Sequence, residues 1–188
     1  MRTWVWALSI PFLVVGTQTP ATPDKAPTPL KQGPLAYYKG HCARCHGDLG
    51  GAYPDDFTKT KSKEDLTQVI ESMAAGQGGA PLTVTAELEA QVAFHYAIDQ
   101  KTPFLSWTSA DGNTLKGEVT PDTVVTATVA GVDQKVEILN RTWKITLPAN
   151  AVISSVVVHA KTDTSEAVLD LGKSSVSHAV PTKKTAID

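Results

Sequence analysis

Residues 41–46 read His41-Cys42-Ala43-Arg44-Cys45-His46 and hold both cysteines of the 188-residue chain. Two thiols three positions apart lie one helical turn apart and point the same way. Three chemistries use such a pair: a redox disulfide, half of a zinc site, and covalent attachment of haem. A redox motif should follow a strand and open a helix inside a βαβ pattern, and no such pattern surrounds residue 42. A closed zinc site needs four ligands. There is no second cysteine pair, and His41, His95, His159 and His178 show no paired ligand spacing.

Haem remains. Cys42 and Cys45 would add to the two vinyl groups on one porphyrin edge, and His46, the next residue on the same turn, would be carried beneath the iron as an axial imidazole ligand. The expected cofactor is one covalent haem c with its iron. The expected site residues are Cys42, Cys45 and His46, with His46 as the metal ligand. His41 precedes the first thiol on the opposite rotation of the turn and reads as solvated.

The segment GPLAYYKGHCARCHG, 33–47, resembles the first helix of the class I c-type cytochromes, with Tyr37 and Tyr38 at the aromatic positions before the attachment site. The resemblance implies a haem-proximal loop at Gly50, Gly51 and Pro54, in which a proline carbonyl orients the histidine. SKEDLTQVIESMAAG, 62–76, reads as a helix capped by Ser62 with Asp65, with Leu66, Val69, Ile70 and Met73 on one stripe and Gly76 at its end. A further helix opens at Thr85 and finishes before Pro103, with Phe94 where the family places the aromatic that packs on the first helix. The resemblance extends over about Leu35 to Gln100.

One position departs from it. The family commonly has Gly-Gly-Met-Pro between these helices, the methionine sulfur being the sixth iron ligand, whereas this chain has Gly78-Gly79-Ala80-Pro81. The sixth position is left among Met73, His95 on an outward face of the last helix, another histidine, and no protein ligand. Two protein ligands would confine the iron to electron exchange, and one would leave it able to take nitric oxide or carbon monoxide. AAGQGGAPLT, 74–83, offers only Gln77 and Thr83 as polar side chains, which speaks against peroxide chemistry.

After Pro103 the periodicity changes from helical to alternating. FLSWTS, TLKGEV, TVVTATVA, QKVEIL, TWKITL, VISSVVVHA and EAVLDL form seven β-rich segments separated by turn residues such as Asp111-Gly112-Asn113 and Pro148-Ala149-Asn150. Val125, Ala127 and Val129 share one face, as do Trp143, Ile145 and Leu147, the pattern of a two-sheet sandwich. The run 117–149 resembles bacterial immunoglobulin-like repeat domains. Trp143 is expected in the core, and His159 is expected to be solvated or satisfied. No paired acid and base stands out in this half, so the protein is not expected to be an enzyme.

The flanks complete the expected organisation. Arg2 precedes an uncharged run from Trp4 to Val15, shorter than the roughly 20 apolar residues that span a bilayer. Residues 1–16 therefore read as a secretory signal directing the chain to the periplasm or exterior, or as an uncleaved anchor. Residues 17–34, rich in Pro and Thr, read as an extended linker. The expected fold class is multidomain: an all-α cytochrome c domain at 35–102 and an all-β immunoglobulin-like sandwich at 103–172, then a disordered tail at 173–188. A short junction at 100–103 is expected to fix the two parts, with a β edge over part of the haem rim.

A formal net charge of −2 gives no footprint for nucleic acid. The function expected is an exported monohaem carrier of single electrons between a redox protein donor and acceptor. Its alternatives are a small-ligand sensor, or the electron-transfer subunit of a larger oxidoreductase.

Overall fold

A computed structural model describes residues 27–180. The expected signal at 1–16, the first part of the linker and the end of the tail lie outside the described residues. Within them the chain forms four short α-helices followed by nine strands in two antiparallel sheets.

The helices are α1 (Pro34–His41), α2 (Ala43–His46), α3 (Lys63–Ala75) and α4 (Thr85–Asp99). Helix α1 starts on Pro34, whose fixed φ and missing N–H suit a first helical position. It breaks from α2 at Cys42, and α2 ends after one turn at Gly47, whose φ of 75° favours glycine. Ser62 and Asp65 form the reciprocal capping box expected for α3. Leu66, Ile70 and Ala74 are its buried stripe, while Val69 and Met73 are 44% and 42% exposed.

The strands are β1 (Leu105–Asp111), β2 (Thr114–Val119), β3 (Val124–Val129), β4 (Val132–Gln134), β5 (Val136–Leu139), β6 (Thr142–Thr146), β7 (Val156–Lys161), β8 (Glu166–Asp170) and β9 (His178–Val180). One sheet has the order β1-β2-β6-β5 and the other β4-β3-β7-β8-β9. Their inner faces close on one core that includes Trp107, Leu115, Trp143, Ile145, Val156, Val158 and Leu169. Trp143 is fully buried, and its indole N–H donates to the Ser106 carbonyl at 3.2 Å, which satisfies the one polar atom of the ring. Gly117 lies beneath that indole. A Cβ there would fall 1.8 Å from the Ser106 carbonyl oxygen and 2.5 Å from the Trp143 ring.

The architecture corrects several expectations. The expected fold class fails: with four short helices against nine strands, the described chain is mostly β, and no large all-α cytochrome c domain is present. The physical reason is that turns and loops at 47–62 and 76–84 separate short helices, which enclose one small cluster of their own, Tyr37 with Leu66, Ile70, Ala74, Leu82 and Val92, and share the other with the sheets. One of the two helical clusters, built on Leu35, Tyr38, Phe94 and Ala97, is completed by Phe104 and Val176 from the β half. Nine strands replace the seven expected, because β4 and β9 are three-residue pieces with too little alternation to read.

The linker and the tail are not free tethers where they are described. Leu30 is buried, and its N–H donates to the Trp107 carbonyl at 2.9 Å. The Ser175 hydroxyl donates to the Thr28 carbonyl, Ser106 bridges to Val176, and β9 pairs with β8. These two segments cover the open edge of β1, leaving fewer unpaired backbone groups there.

The helices are tied to the sheets at two further places. Glu118 on β2 accepts hydrogen bonds from the N–H groups of Leu35 and Ala36, each at 2.9 Å, and so caps α1 from outside, where Gly33 supplies no side-chain cap. Arg141 in the β5–β6 turn makes a two-pronged contact with Asp48, at 3.3 and 2.9 Å. Among the described residues no helix is long and apolar enough to cross a membrane.

Candidate functional site

Helices α1, α3 and α4 and the loop after α2 enclose a cavity of about 310 Å³. Cys42, Cys45 and His46 all line it. Cys42 is half-buried and Cys45 is exposed, so the two thiols run from the interior to the rim. Burial, and then the neighbouring Cys45, pushes the Cys42 thiol above its usual range.

The walls are apolar. Leu66, Val69, Ile70, Met73 and Ala74 form the α3 side, and Tyr53, Pro54 and Phe57 come from the loop after α2. Lys61 and Gln77 are polar residues of the lining. A narrow apolar cleft with two thiols and an imidazole along one wall matches the chemistry of a covalently held, flat, mostly apolar cofactor. Among the described residues no three His, Cys, Asp or Glu side chains assemble into a group that could hold a metal ion.

Each expected residue can be placed. Met73 lines the cavity from its half-exposed position on α3. Pro54 lines it too, but the described contact of His46 is the ring of Tyr53, stacked at 4.6 Å and 29°. Ala80 packs at the edge of the helical core, and Tyr37 donates its hydroxyl to the Ala80 carbonyl. His41 is not simply solvated. Its Nδ1 lies 3.1 Å from the Gly78 carbonyl, so α1 holds the loop 76–81 at two points.

His95 departs furthest from expectation. It is 5% exposed rather than turned outward, and burial pushes its imidazole down to about 4. Its Nδ1 lies 2.8 Å from the Gln91 carbonyl and its Nε2 lies 3.1 Å from the Tyr53 hydroxyl. With both ring nitrogens committed, His95 cannot ligate iron in this arrangement. His159 pairs with Glu166 at 2.7 Å, and neither it nor His178 lines the cavity.

The residues that sequence reasoning missed are Tyr53 and Phe57. Tyr53 lies between His46 and Phe57, at ring distances of 4.6 and 4.3 Å. Burial raises its phenol pKa strongly, with Tyr38 and Cys42 adding to it, while burial pushes Tyr38 up to about 12. The only signal was an aromatic soon after a Gly-Gly turn. That turn is specific, because Gly50 has a φ of 76° and a Cβ there would meet the Tyr53 ring at 2.6 Å.

Among the described residues none beyond His95 lines the cavity. The expectation that a β edge would cover part of its rim is therefore corrected. The sheets hold Leu35 and Ala36 of α1, Asp48 in the loop after α2, and Leu30 in the segment before α1, and none of these lines the cleft. No protein family, curated protein or solved structure matches the chain.

Proposed function

We propose that the protein is a monohaem c-type electron carrier. The observation that carries this reading is the opening of Cys42, Cys45 and His46 along one wall of a single apolar cleft. Thioether bonds from the two cysteines would hold haem c, and His46 would supply one axial nitrogen. When bound, the haem supplies one-electron exchange between ferrous and ferric iron. The chain's own residues do the rest. Leu66, Ile70, Ala74 and Phe57 keep water from the cleft, and the exposed Cys45, Val69 and Met73 form the rim that a protein partner would meet.

Export, and docking to a redox donor and acceptor or to a larger oxidoreductase, belong to the same proposal. A second reading, a small-ligand sensor with an open sixth position, is favoured by one observation. Ala80 stands where the family has its methionine, and its loop is held by Tyr37 and His41.

The test is production in a host able to attach haem covalently. The expected product is coloured, with a mass equal to the processed chain plus one haem, and replacing both cysteines with serine abolishes both. A colourless wild-type product of bare chain mass refutes the proposal. Carbon monoxide then separates the two readings, because a low-spin ferrous spectrum indifferent to it rules out the sensor.

A further inference from the structure

We infer that Tyr53 and His95 act as a pair of positioning residues that fix the plane of the His46 imidazole. This inference rests on the haem reading above. The contacts run outward from Gln91, whose backbone carbonyl lies 2.8 Å from Nδ1 of His95. A carbonyl can only accept, so Nδ1 carries the hydrogen. Burial keeps the His95 ring neutral, so Nε2 has a free lone pair, and the Tyr53 hydroxyl 3.1 Å away donates to it. The phenol is thereby pinned at its far end, and Phe57 meets His95 in a T-shaped contact, with ring centroids 6.4 Å apart and planes at 82°.

The near side of the Tyr53 ring lies against His46 at 4.6 Å and 29°, so a rotation of the imidazole about its own bond has to displace a ring anchored at both ends. The orientation of His46 is thus referred, through Tyr53 and His95, to the backbone of α4. Apolar side chains would fill this space equally well. A buried tyrosine–histidine hydrogen bond adds direction, which bulk does not. Outer residues that orient a ligating imidazole tune the metal as well as hold it.

The experiment uses the mature haem protein and compares wild type with Tyr53→Phe, Tyr53→Leu and His95→Gln. The readouts are the haem methyl proton shifts of the ferric form, which depend on the plane of the axial imidazole, and the reduction potential, with thermal melting as a check on folding. Tyr53→Leu is expected to redistribute the methyl shifts and move the potential. Tyr53→Phe should do the same to a smaller degree with little change in melting. His95→Gln, which keeps an acceptor for the phenol, should lie closest to wild type. Wild-type shifts and potential in both Tyr53 variants overturn the inference, as does a change confined to melting. If Tyr53→Leu fails to mature, the Tyr53→Phe result decides. A wild-type protein without covalent haem overturns this inference together with the function, whereas normal haem with unmoved shifts overturns this inference alone.

Discussion

Removing the Glu118 carboxylate should loosen the start of α1, the helix that leads into the cysteine motif. Its two oxygens accept from Leu35 and Ala36 at 2.9 Å each, and Gly33 offers no side chain to take over. Loss of a helix cap costs about 0.5–2 kcal/mol, and hydrogen bonds to a charged group are worth about 1.5–3 kcal/mol each when buried. The Ala36 bond is exposed and water can replace it, so Glu118→Ala should cost about 2 kcal/mol, equivalent to a fall of roughly 4–8 °C in melting temperature for a chain of this size.

Gly33 makes a sharper test. A Cβ there would fall 2.1 Å from the Glu118 carboxyl carbon, although its φ of −75° suits any residue. Gly33→Ala should therefore act by expelling the carboxylate. The two substitutions should be non-additive, the double variant melting within a degree or two of the worse single variant. Burial raises the Glu118 carboxyl above the usual carboxylate value. The native state then holds the proton more tightly than the unfolded chain does. The stability tied to this group is greatest below the ordinary value and declines as pH rises through the folded one. Chemical unfolding followed by circular dichroism measures all of this. Additive losses, or a Glu118→Ala change under about 0.5 kcal/mol, which is ordinary for a plain surface substitution, would refute the cap.

Other perturbations test other parts of the structure. Gly117→Ala should destabilise the sandwich by more than about 4 kcal/mol, because backbone and the Trp143 ring both occupy the space its methyl needs; a soluble variant with normal melting contradicts this. His95, held at about 4 by burial, remains neutral in the fold while the unfolded chain takes up a proton below about 6.5. Stability should thus be fully present above pH 6.5 and fall by about 3 kcal/mol as pH drops through 4, a fall that His95→Gln should largely remove in pH-dependent unfolding. If Met73 is the sixth ligand, Met73→Ala should make the ferrous haem protein take up carbon monoxide where the wild type does not, and equal uptake by both assigns the sulfur no such role.

What the sequence made legible is what depends on neighbours along the chain. The Ser62–Asp65 box, the alternation through TVVTATVA and TWKITL, and the one-turn spacing of Cys42 and Cys45 are all local, and the structure keeps each of them. What escaped depends on residues far apart. The Glu118 cap spans more than eighty positions, and the burial of Leu30 requires β1 to be present, so the segment around it read as a loose linker. The error in fold class has the same origin. Helical periodicity announces helices, but it does not reveal that Phe104 and Val176 complete their core. His95 reads as outward-facing in the sequence because its partner Tyr53 lies more than forty residues away, beyond any helical repeat.

That the cleft draws its lining, among the described residues, from Tyr37 to His95 has a practical meaning. The sandwich is a handle that can be modified without changing a residue of the lining. Attached to a conducting support through residues of the sandwich, the protein would keep every described residue of its thiol-bearing lining chemically untouched, ready for a freely diffusing partner.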